Sequence, residues 1–216
     1  MKEADYSAWA RREQFEFFSK VSDPFYSISF EVDVTALRGY TSRMGISFYY
    51  ALTWLVTKAI NRTDAFMYGL HDGRLVRYEK RDPSFTDLHK GSEAFHIVTM
   101  AADDDIIAFS REAKEKSEAQ TCFLDTSSES DGLIYISCVP WLPMTGFVTE
   151  RDFNADDSVP RLTWGKYQKR GDALILNMTL DANHRFIDGL HIGQFYKALC
   201  DEIEKLAAAD TEFSTF

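Results

Sequence analysis

His184 is the side chain whose setting in the sequence best suits proton transfer. It stands in Asn183-His184-Arg185-Phe186-Ile187-Asp188-Gly189, after a run that alternates like a strand (172–181) and before one with helical spacing (190–206). A strand end followed by a tight turn holds a side chain at a fixed angle and leaves it reachable. An imidazole near its ordinary pKa is mostly neutral at neutral pH, so it can serve as a general base. Taken alone, His-x-x-x-Asp-Gly is a short pattern, and a lone histidine is more often structural than catalytic.

The rest of the chain must position that turn. Residues 8–20 predict a short amphipathic helix and 25–34 an alternating strand, and 46–61, apolar nearly all round, predict a buried helix. Two short strands flank Asp72-Gly73, and a further strand is expected within 85–97. A charged helix is expected at 104–118 and a solvated loop at 125–131. Strands follow at 133–137, 146–149, 161–167 and 173–181, then a last helix at 189–207 with a fraying tail. Helices mixed with this many strands predict a layered α/β domain on a mixed sheet, and 216 residues without a composition break predict one domain over 1–216.

Composition narrows the partners. A net charge of −10 argues against nucleic acid or an anionic membrane, both of which require clustered Lys and Arg. An anionic cofactor can still bind through a few local cations. Cys122, Cys138 and Cys200 form no CxxC pair, which disfavours zinc or a disulfide framework and suits a reducing cytoplasm. The stretch 46–60 is too short and polar to span a bilayer, and the first residues lack a signal-peptide core. His191 lies seven residues after His184 with no carboxylate at ligand spacing, so no metal is expected; His71, His89 and His96 have no motif around them.

Four motifs carry a resemblance: Trp9-Ala-Arg-Arg-Glu-Gln-Phe-Glu-Phe-Phe18, Ile136-Ser-Cys-Val-Pro-Trp141, Leu162-Thr-Trp-Gly-Lys-Tyr167 and His184 to Gly189. In order and spacing they resemble the chloramphenicol acetyltransferase family, from about Tyr6 to about Leu206. The resemblance implies a two-layer sandwich of the coenzyme A-dependent acyltransferase fold, and a homotrimer with active sites between subunits. It implies acetyl transfer from acetyl-CoA to a small hydroxylated acceptor, with His184 as base, Ser137 as oxyanion donor and Thr163 holding a water. By residue type alone, Ser137 is a serine at the end of an apolar strand and Thr163 a β-branched strand residue. No covalent intermediate is required, in keeping with the lack of a Gly-x-Ser-x-Gly elbow.

The resemblance further pairs Asp188 with Arg11 as architecture, while Gly189 relieves the turn of a Cβ clash. It assigns Phe17, Phe18, Tyr26, Phe95, Ile97 and Thr149 to the acceptor pocket, although for any single one of them core packing is the better explanation. Lys166 and Tyr167 take the cofactor, as point charge and adenine platform. The chain departs from the family pattern at Phe18, where a tyrosine is usual, and at Thr149, where leucine is usual. Ser47 stands where a second cofactor lysine is expected, and Arg185 follows the histidine. An arginine there also resembles the dihydrolipoyl acyltransferases, so a different natural-product alcohol or a dihydrolipoyl-type thiol is the alternative acceptor. The same departures leave room for a non-catalytic trimeric binding module.

Overall fold

The computed structural model describes residues 1–103, 105–151 and 157–213, with side chains through 207. Strand alternation dictates its layout. In β10 (Ala173–Asn183), Leu176, Met178 and Leu180 point into the core, while Thr179 and Asp181 point to the opposite face. The same parity holds in β2 (Phe25–Asp33), β5 (Asp82–Leu88), β6 (Phe95–Thr99), β7 (Leu133–Val139) and β8 (Arg161–Gly165). These strands form a seven-stranded sheet ordered β2-β10-β8-β7-β5-β6, with β9 (Gln168–Arg170) also paired to β10. β7 runs parallel to β5 and β8, and the other pairings are antiparallel, so the sheet is mixed as expected.

Register turns that parity into two unlike faces. One core row reads Val98, Phe85, Ile136, Leu162, Leu180 across five strands, and a second reads Cys138, Trp164, Met178, Phe30. Alternating with them are polar rows: Thr86, Ser137, Thr163, Thr179, Ser29, and Ser84, Tyr135, Arg161, Asp181, Ser27. The apolar rows share one core with α2 (Thr35–Met44), α3 (Phe48–Asn61), α4 (Ile106–Ala119) and α5 (Gly189–Phe213). Helices on one face and a polar opposite face make the two-layer sandwich. A second, three-stranded sheet joins β1 (Lys2–Glu3), β4 (Arg74–Arg77) and β3 (Tyr68–His71), and Asp72 and Gly73, both at positive φ, close the β3–β4 hairpin.

Several boundaries differ from expectation. Helix α1 covers only Arg12–Phe18, because the residues before it turn back to place Trp9 against Phe15 and Tyr68. Helix α2 has no counterpart among the expected elements, because its buried residues are only Leu37 and Thr41, too thin a stripe to give a periodic pattern. It stops at Gly45 in the left-handed region. The single strand expected within 85–97 is two, β5 and β6, joined through His89–Ala94. Residues 146–149 form no strand; they cross the polar face instead. β8 ends at Gly165, where an added Cβ would lie 2.5 Å from the Leu142 carbonyl, and α5 continues to Phe213. Among the described residues no helix is long and apolar enough to cross a membrane.

Candidate active site

The turn after β10 is held from both ends. The His184 backbone N–H donates to the Pro24 carbonyl at 2.7 Å, and Phe186 and Ile187 N–H both bond to Asn183 O. Arg11 Nη1 meets Asp188 Oδ2 at 2.5 Å while its Nη2 donates to the His184 carbonyl at 3.3 Å. One guanidinium therefore ties the acid and the histidine backbone to α1. Asp188 Oδ1 also accepts the Leu190 N–H, capping α5, and its own N–H donates to His191 Nδ1. Burial pushes the Asp188 carboxyl up, but Arg11, His191 and the cap hydrogen bond outweigh it, and its pKa lies below the ordinary value.

The His184 ring stacks on Phe18 at 3.9 Å between centroids, with Tyr26 at 4.6 Å on another side. Phe17 packs edge-on against Phe18 and is 64% exposed. Burial, then the Arg11 charge, lowers the His184 pKa below 6.5, against a weaker opposing pull from Asp188. The imidazole is therefore neutral at neutral pH and ready to accept a proton. Arg185 is turned away from such a role: its Nε donates to Asn183 Oδ1, its Nη2 to the Asp157 carbonyl, and its plane lies over Phe15 and Phe186. Gly189 does not have the role expected of it. It is the first residue of α5, its φ is not left-handed, and an added Cβ would meet nothing within 4 Å, so the turn has no steric need of glycine there.

Ser137 lies inside β7 rather than at its end, fifth of seven residues, and pairs in register with Thr163. Its hydroxyl is 3.3 Å from that of Thr86. Two cavities meet here. One, of about 480 Å³, is lined by Ser137, Thr163, Phe95, Ile97, Thr149 and Phe123, among others. The other, of about 620 Å³, runs from Ser137 past Tyr49, Cys138 and Trp141 to Ser47. Thr86, Phe95 and Ser137 belong to both. The first cavity does not include His184, Phe17, Phe18 or Tyr26 in its walls. Within one chain the expected acceptor residues thus divide into two clusters, one around the imidazole and one around the hydroxyls. Thr86 belongs to no motif, and its only signal in the sequence is the polar alternation of Ser84 and Thr86 within Asp82–Leu88.

Asp181, also unforeseen, locks the segment that crosses the polar face. Its side chain is 3% exposed and accepts from Ser27 Oγ, from Thr149 Oγ1 at 2.8 Å and from Thr149 N at 3.3 Å; Arg151 Nη2 lies 3.7 Å away. Thr149 spends its hydroxyl on this carboxylate. Asp181→Ala orphans these donors, and we expect it to lower unfolding free energy by about 3 kcal/mol. It should also admit protease to residues 142–151; an unchanged denaturation midpoint with no new cleavage would show that the lock is idle.

Tyr167, whose ring lies 5.4 Å from that of Phe48, accepts a hydrogen bond from Arg38 Nε at 3.1 Å, and the neighbouring Lys166 is exposed. Ser47 caps α3, its hydroxyl accepting the Tyr50 N–H. Burial pushes the Cys138 thiol up to about 12, so the sulfur facing the larger cavity stays protonated and is a poor nucleophile. Among the described residues no group of three or more His, Cys, Asp or Glu is arranged to hold a metal ion.

The family model for chloramphenicol acetyltransferase matches residues 1–200. A chloramphenicol acetyltransferase of Escherichia coli is 28% identical over 207 residues, covering 93% of this chain and 97% of its own length. A solved chloramphenicol acetyltransferase structure superposes with a TM-score of 0.83 at 28% identity, covering 93% of this chain and 99% of the other. A probable dihydrolipoamide acetyltransferase of Listeria monocytogenes shares the fold at a TM-score of 0.64 and 18% identity, with 95% of each chain covered. The chain belongs to the chloramphenicol acetyltransferase family and is an acyltransferase of that type.

Proposed function

We propose that this single-domain chain works in the cytoplasm as an acetyl-CoA-dependent O-acetyltransferase on chloramphenicol or a similar hydroxylated aromatic acceptor. The observation that carries the proposal is the Ser137 hydroxyl at the junction of two cavities, each of the size a small ligand needs. The larger receives the pantetheine arm, and the smaller, with Phe95, Ile97, Phe123 and Phe147 in its walls, receives a flat apolar acceptor. His184 takes the acceptor's hydroxyl proton as that oxygen attacks the thioester carbonyl. Ser137 donates to the resulting oxyanion, with Thr163 beside it holding a water. Collapse expels the coenzyme A thiolate, which recovers the proton from the imidazolium. The products are an acetyl ester and free coenzyme A.

The separation of the His184 cluster from the hydroxyl cluster supports a homotrimer in which the imidazole of one subunit faces the Ser137 cavity of the next. Ser137→Ala should lower kcat by about 10²- to 10³-fold. Mixed oligomers of His184→Ala and Ser137→Ala subunits should then recover activity, since some seams unite intact residues. No recovery in a verified mixed oligomer would rule out a shared site. The activity itself is tested by thiol release from acetyl-CoA on adding chloramphenicol. Release with dihydrolipoamide alone, across a panel of alcohols and thiols, would replace the alcohol reading with the thiol one.

A further inference from the structure

Among the described residues the larger cavity has no cation in its walls. Its charged residues are Asp87 and Glu93, in a chain of net charge −10. A cofactor carrying several phosphate charges must find its counter-charges at the mouth, near Ser47. Ser47 supplies none, because its hydroxyl is committed to the first turn of α3. Phe48, next in the chain to Ser47, places its ring 5.4 Å from that of Tyr167, and the Tyr167 hydroxyl accepts a hydrogen bond from Arg38 Nε.

Arg38 is held ready. Its Nη1 donates to Ser42 Oγ, one turn further along α2, and its Nε to Tyr167. Among the described residues no carboxylate lies within ion-pairing distance of the guanidinium, and Nη2 makes neither of these two bonds. A guanidinium fixed through two of its nitrogens, with the N–H groups of the third turned to neither bond, suits a phosphate better than a mobile ammonium does. Lys166, exposed beside Tyr167, adds a second cation on the same strand end.

We infer that Arg38 replaces the missing lysine at Ser47 by holding the 3′-phosphate of the cofactor's ribose, and so selects phosphorylated over dephosphorylated coenzyme A. The inference rests on the acetyl-CoA reading above. The guanidinium reaches the phosphate from α2, beside Tyr167, which the resemblance implies as the adenine platform, whereas the lysine implied by the resemblance would reach it from the start of α3.

The test compares acetyl-CoA with 3′-dephospho-acetyl-CoA as donors for the full-length protein. The wild type should prefer the phosphorylated donor in kcat/KM, and Arg38→Gln should shrink that preference by roughly 10-fold, as expected for one partly solvated contact to a charged group. Arg38→Lys should fall between. Added salt should erode the wild-type preference, a readout that requires no variant to fold. If Arg38→Gln slows both donors in parallel and leaves the preference intact, Arg38 merely props Tyr167 and the inference fails. Equal use of both donors by the wild type sinks it too, while sparing the acetyl-CoA reading. A wild type inert with either donor ends both.

Discussion

His184→Ala should lower kcat by about 10³- to 10⁴-fold, the range for removing a positioned general base. The fold should survive the substitution, since the turn is held by the His184 backbone, through Pro24 and Arg11, and not by its ring. The pH profile follows from the direction of the His184 shift. Burial and Arg11 disfavour the imidazolium, so the folded pKa lies below 6.5 and the active neutral form prevails above it. The kcat/KM of the free enzyme should therefore climb through a pKa below 6.5 and stay level to at least pH 8. Arg11→Gln removes a positive neighbour, and that pKa should move up. Wild-type turnover in the alanine variant, or a profile with no acid limb, would exclude this imidazole as the base.

Arg81→Met should produce the largest loss of stability. Arg81 is buried, and its guanidinium donates to four main-chain carbonyls: Phe66 at 2.5 Å, Asp131 at 2.9 Å, Leu133 at 3.1 Å and Tyr68 at 3.1 Å. The Tyr78 ring lies 4.5 Å beneath it. Burial drives its pKa down to about 10, still well above neutrality, so the charge persists in the interior. Methionine fills much of the volume and removes the cost of burying a charge, but the four carbonyls remain without donors, at about 1–3 kcal/mol each. A net loss of at least about 4 kcal/mol is expected, a large part of the usual stability margin. Arg81 immediately precedes β5 and bonds to the first residue of β7, so it sets where these parallel strands begin and hence where Thr86 meets Ser137. Chemical denaturation of Arg81→Met with a midpoint matching the wild type would mean that this network contributes nothing; Arg81→Lys, keeping the charge but losing the planar fork, should lie between.

The parts legible in the sequence were those that local pattern specifies. Helix α3 advertises itself by being apolar on nearly every side, β10 by its alternation, and the β3–β4 hairpin by Asp72-Gly73. The elements missed were those whose cause lies elsewhere in the chain. Residues 146–149 have strand-like composition, yet Asp181 holds Thr149 across the sheet instead of within it, and Leu142 and Met144 just before them pass closely over Gly165. Helix α2 buries only two side chains, and its limits are set by Asp33 at one end and Gly45 at the other. Arg81 reads as a surface charge until four carbonyls from two segments, 66–68 and 131–133, converge on it.

The same division applies to the site. Residue types and spacing offered an imidazole at a strand end and no metal-binding pattern, while the hydroxyl in Ser-x-x-Pro-Trp and the Lys-Tyr pair stood out only through the family resemblance. Tertiary structure decided which of these are neighbours. It set Ser137 beside Thr163 and Thr86 by parallel register, gave Thr149 to Asp181, bound Arg185 into the turn, and kept the imidazole cluster apart from the hydroxyl cluster. Side-chain period records which face a residue occupies, because that is local geometry. Pairing between strands far apart in the chain is settled only when the core closes, so no single segment of the sequence contains it.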